Sequence, residues 1–104
     1  MVPDALAHLT EPSVAWLRDL EAAYDLGPHE RKLALSAAEA LDRSREARER
    51  LETDGVLLED RFGQLKPHPA VAIERDARAQ FTRIVCALNL PTYTKPAYTP
   101  AGGF

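Results

Sequence analysis

The stretch Pro28–Asp54, PHERKLALSAAEALDRSREARERLETD, decides the fold. It is rich in Ala, Leu, Glu and Arg and has no Gly or Pro after its first residue, so the sequence predicts one long helix. Leu33, Ala37, Leu41, Ser44, Arg48 and Leu51 follow one another at steps of four or three, the spacing of a coiled-coil seam. That seam lacks bulk. Ala34, Ala37, Ala38, Ala40, Ser44 and Ala47 let a second helix approach closely, and the partner has to bring the large side chains. Glu39 with Arg43 and Glu46 with Arg50 stand acid before base at i,i+4, a pairing worth a few tenths of a kcal/mol each. Such a charged face is either solvated or a contact between subunits.

Upstream, Thr10 reads as an N-cap followed by Glu11 and Pro12, with Leu9 and Val14 placed as a hydrophobic staple. Val14, Leu17, Leu20 and Tyr24 then recur at helical spacing, predicting a helix over 10–25, with Trp16 and Ala23 on a second flank. Gly27 and Pro28 mark a corner, Gly as a C′ residue and Pro as the first residue of the long helix. Downstream, Gly55 stops the long helix. Val56-Leu57-Leu58 and Gln64-Leu65-Lys66 flank a turn at Asp60–Gly63, which predicts a small β-hairpin with Gly63 at positive φ. An isolated hairpin is marginal in water, so this one should pack on a helix end or on a neighbouring subunit. Pro67-His68-Pro69 opens a last helix running to about Asn89. Its stripe of Ile73, Ala77, Phe81, Ile84 and Leu88 has the bulk that the long helix lacks. The expected fold is therefore all-α: an antiparallel helical hairpin with an N-terminal helix and a short β-hairpin between the two main helices. Residues 1–91 form the helical domain. Residues 92–104, with Pro96, Pro100 and Gly102-Gly103, read as a flexible tail, or as a peptide that docks through Tyr93, Tyr98 and Phe104.

A chain of 104 residues has room for one domain and buries roughly 60–70% of its unfolded surface. Apolar residues at 45% and charged ones at 28% are ordinary globular usage. No apolar run approaches a membrane span and no signal-peptide pattern opens the chain, so no membrane association and a cytoplasmic setting are expected. The formal charge of −3 is unusual for a module that grips DNA alone. Residues 1–28 hold five acids against Arg18 alone, which speaks against a DNA-reading helix-turn-helix there.

No catalytic, cofactor or metal site emerges. His8, His29 and His68 are scattered, and no second ligand stands at metal spacing. There is no nucleophile elbow and no Gly-rich phosphate loop. Cys86, among Ile84, Val85 and Leu88, is expected to be a buried, inert thiol. His68, between two prolines, reads as a helix-entry residue.

The segment Ala38-Glu39-Ala40-Leu41-Asp42, then Gly55, then Asp60–Lys66, then Pro67-His68-Pro69 and the run to Arg78 resembles the small subunit of tailed-phage terminases, over residues 9–91. The resemblance implies a non-catalytic protein that assembles into a ring and engages viral double-stranded DNA. It also implies regulation of the terminase large subunit, which carries the ATPase and nuclease, in the bacterial host cytoplasm. A ring reconciles an acidic chain with DNA, because it gathers a few cations per subunit into one basic surface. The sequence lacks the basic N-terminal extension and the clear helix-turn-helix that would supply a DNA contact. The candidates for DNA binding are then Arg61 and Lys66 on the hairpin and Arg75 and Arg78 on the last helix. Candidates for oligomer or partner contact are Trp16, Leu20, Leu41, Leu51, Phe62 and Phe104, with the Trp16 flank available to a neighbour. Two other readings stay open: a helical adaptor that binds protein and not DNA, and a domesticated prophage relative that keeps the ring without packaging.

Overall fold

The computed structural model describes residues 6–91. Thr10, extended at φ −72°, starts α1, Glu11–Ala23, but caps it differently from the expected pattern. Its hydroxyl does not bond back to the helix and instead donates to Asp42 Oδ1 at 2.5 Å. The helix ends two residues earlier than predicted. Tyr24 turns extended (φ −134°, ψ 150°), which lets its ring pack on the core and its hydroxyl donate to the Pro91 carbonyl at 2.9 Å.

Gly27 is not a left-handed C′ residue. At φ −74° it is the N-cap of α2, Pro28–Asp54, and its N–H donates to Glu30 Oε1 at 3.1 Å. The long helix has the predicted bounds. Gly55 closes it at φ 81°, ψ 167°, a backbone region that is essentially glycine-only.

The chain then forms β1, Leu57–Glu59, and β2, Leu65–Pro67, an antiparallel pair one residue later than the sequence indicates. The cause is the root of the ladder, where the His68 N–H bonds the Val56 carbonyl at 2.9 Å and Leu57 faces Pro67. Pairs with hydrogen bonds alternate with pairs without them, and Pro67 falls where no N–H is needed. A three-residue loop closes the tip with Gly63 at φ 79°, as expected.

His68 caps α3, Pro69–Leu88. Its Nδ1 accepts the Ala70 N–H at 2.9 Å, so the proton of the neutral ring lies on Nε2, 2.9 Å from Asp54 Oδ2 at the end of α2. Asn89 ends the helix in the left-handed conformation.

α2 and α3 make the most extensive packing in the molecule. Cross-helix bonds join Asp54 to His68, Arg48 to Glu74 and Arg43 to Gln80, so positions advance along α3 as they recede along α2. Small residues allow the close approach: Ala34, Ala37, Ala38, Ala40 and Ala47 are buried. The stripe on α3 differs from the predicted one near its start. Ala70, Glu74, Ala77 and Leu88 face inward with Phe81 and Ile84 half-buried, while Ile73 stays 51% exposed. Position 74 is usable because the Glu74 carboxylate lies between Arg78, 3.1 Å away, and Arg48, 3.6 Å away.

The core is one-sided. Leu17, Leu20, Ala34, Ala38 and Leu88 form it, flanked by Leu6, Leu9, Trp16, Tyr24, Leu26 and Leu33, where α1 covers the other two helices. Each buried Leu contributes about 1.5–3 kcal/mol there. At the opposite end the β-hairpin projects from the α2–α3 pair, with no third layer among the described residues, and the molecule measures 59 × 29 × 29 Å.

Candidate interaction surface

All six strand residues of the hairpin are exposed, and Val56, Leu57, Leu58, Phe62 and Leu65 carry its apolar surface. Phe62, at the tip, is 76% exposed, and the Arg61 guanidinium lies 5.0 Å from its ring centroid. The tip is nonetheless ordered by its own hydrogen bonds. Asp60 Oδ1 accepts the N–H groups of Phe62 (2.8 Å) and Gln64 (2.9 Å), and Asp60 N–H donates to the Gln64 carbonyl at 2.8 Å. The Gln64 N–H above all, with the Phe62 N–H and the nearby Lys66, holds the Asp60 carboxyl below its ordinary value, against the opposing effect of desolvation. A stiff, apolar, solvent-facing protrusion is the kind of surface that partners bind.

At the base of the hairpin a groove of about 330 Å³ opens between α2 and α3. Ala47, Pro69, Ala70 and Ile73 supply its apolar lining, Arg43, Glu46 and Arg50 its charges, and His68 also borders it. The i,i+4 pairs expected on α2 are not made. Glu39 instead bonds His8 Nε2 at 2.8 Å, Arg43 donates to Gln80 at 2.8 Å, and neither Glu46 nor Arg50 has an ion-pair partner among the described residues.

The four cations proposed from sequence divide unevenly. Lys66 pairs with Asp60 at 3.4 Å, Arg75 with Asp76 at 3.3 Å and Arg78 with Glu74 at 3.1 Å. Of the four, only Arg61 has no acidic partner among the described residues. Of the contact candidates, Phe62 is solvent-facing, and Leu41 and Leu51 are half-buried on α2. Leu20 is buried in the core. Trp16 meets Phe81 of α3 edge-on at 5.3 Å, so its flank is used within the chain. Phe104 and the tail lie outside the described residues. Cys86 is exposed and not buried as expected. It falls on the side of α3 away from Ala77, Phe81 and Leu88, because a helix turns about 100° per residue.

Sequence reasoning missed the groove and the role of Asp42. That carboxylate accepts the N–H of Thr10 at 2.9 Å and the hydroxyls of Thr10 and Ser13, tying α1 to α2. The signal for it was only a polar Ser13 on the inward face of α1. Among the described residues no group of three or more His, Cys, Asp or Glu side chains is placed to hold a metal, and no helix is long and apolar enough to cross a membrane.

No family model matches the chain, and no curated protein or solved structure matches it either.

Proposed function

We propose that this protein is the small subunit of a tailed-phage terminase, or a prophage-derived relative. In this role it is a non-catalytic chain that assembles with itself, engages viral double-stranded DNA and regulates the large ATPase and nuclease subunit in the host cytoplasm. The observation that carries the reading is the uncovered apolar hairpin between α2 and α3. It lies within the segment that carries the resemblance, and among the described residues nothing packs over it. In this reading α2 and α3 form an antiparallel hairpin that makes the wall of a ring. Arg61, Lys66, Arg75 and Arg78 of successive copies would add up to the basic surface that one acidic chain lacks.

Binding of a fluorescent duplex across a salt series tests it. Affinity should fall log-linearly with salt, and Arg75→Ala with Arg78→Ala should weaken binding to all sequences alike and reduce the slope by about two. An assembled protein that ignores duplex DNA at low salt would overturn the packaging role. A protein-binding adaptor is the second reading, favoured by the ion pairs that already neutralise Lys66, Arg75 and Arg78. It predicts no salt-dependent DNA affinity.

A further inference from the structure

We propose that the hairpin tip of one copy seats in the α2–α3 groove of another, with the Phe62 ring against Ala47, Ala70 and Ile73. The inference rests on the self-assembly reading above and gives it a contact. Phe62 is 76% exposed and does not line its own chain's groove, and the His68-to-Val56 hydrogen bond fixes the hairpin root. The tip therefore presents its ring outward. The groove, about 330 Å³, is at the lower end of the roughly 300–1,000 Å³ range of pockets that enclose a ligand, which suits one aromatic side chain and its neighbours.

Charge selects a second copy as the occupant. The hairpin carries Glu59 and Arg61 and the groove carries Arg43, Glu46 and Arg50; Arg43 donates to Gln80, and among the described residues none of Glu46, Arg50, Glu59 and Arg61 has an ion-pair partner. Seating the tip brings the unpaired cation Arg61 to the unpaired acid Glu46, and leaves Glu59 for Arg50. Knob and groove are different surfaces, so the contact passes from copy to copy and closes a ring where the rotation allows. Edge-to-edge pairing of two hairpins is the rival arrangement, and it would need Phe62 on both partners.

Two variants on exposed positions separate the cases. Phe62→Asp removes the knob and keeps the groove, while Ile73→Glu spoils the groove and keeps the knob. Masses are read by light scattering after size exclusion, and circular dichroism checks that helix content is unchanged. Each variant alone should fall from the wild-type mass to the 11.5 kDa of one chain, and an equimolar mixture should recover a 1:1 pair through the one intact contact. Arg61→Glu and Glu46→Arg should each lower the mass, and the double reversal in one chain should restore it, a readout that survives if Phe62→Asp fails to fold. Either variant keeping the wild-type mass, or a mixture that stays monomeric, would overturn the proposal while leaving self-assembly standing. A monomeric wild type would overturn both.

Discussion

At the residue scale, Asp42 holds α1 in place. Ser13 is fully buried and its hydroxyl has the Asp42 carboxylate as acceptor, so Asp42→Ala strands a buried donor. The expected loss is about 1–3 kcal/mol, read as a lower urea midpoint. Burial alone would raise the Asp42 pKa, but hydrogen bonds from Ser13 and Thr10 and the charge of Arg45 outweigh it and hold the carboxyl below its ordinary value. The folded value is thus lower than the unfolded one. Asp42 then contributes stability that is fully present above about pH 4 and is lost as pH falls through the folded value. Asp42→Ala should accordingly flatten the acid limb of stability against pH; an unchanged acid limb would contradict the assignment. Cys86 gives a second check at this scale. An exposed thiol on α3 should react with a thiol reagent in the native state as fast as in the denatured one, within about tenfold, whereas full protection until unfolding would restore the buried placement expected from its apolar neighbours.

At the element scale, the two special glycines at the ends of α2 separate cleanly. Gly55 at φ 81° and ψ 167° occupies a region closed to other residues, so Gly55→Ala should cost about 1–3 kcal/mol in thermal or urea unfolding. Gly27 at φ −74° needs no such freedom, and Gly27→Ala should change stability by about 1 kcal/mol or less, the loss of a weak N-cap preference. The bounds of α2, the start of α3 at Pro69 and the tip glycine were all legible in the sequence, because Pro, Gly and an uninterrupted Ala-rich run act locally. What was not legible depended on rotation of one helix against another. The same stripe pattern fits Ile73 or Glu74 facing inward, and only the placement of Arg48 across from α3 makes the carboxylate the better choice. Cys86 failed for the same reason, since a run of apolar neighbours says nothing about which of them faces out. The groove was illegible because Ala47 on α2 and Ala70 with Ile73 on α3 meet only after the chain has turned through the hairpin. Phe62, in contrast, could be picked out early, as an aromatic at the centre of a polar turn.

At the scale of the whole molecule, the distribution of apolar surface is uneven. One end has three helices around a Leu-rich core, and the other has two helices and a hairpin whose large apolar side chains face water. Burying Phe62 alone would yield roughly 1.5–3 kcal/mol, so the other exposed apolar side chains of the hairpin, Val56, Leu57, Leu58 and Leu65, have to share the contact for it to outweigh the cost of association. The proposed DNA contact points the same way, because a net −3 chain would need a few cations multiplied around an axis to present a DNA-facing surface. Both the bare hairpin and the acidic balance call for self-assembly. The measurement that tests it most directly is the absolute mass of the wild-type protein by light scattering after size exclusion at moderate salt. Self-assembly gives a closed particle of several 11.5 kDa chains with a mass independent of loading concentration; a single species of one chain at every concentration would rule it out.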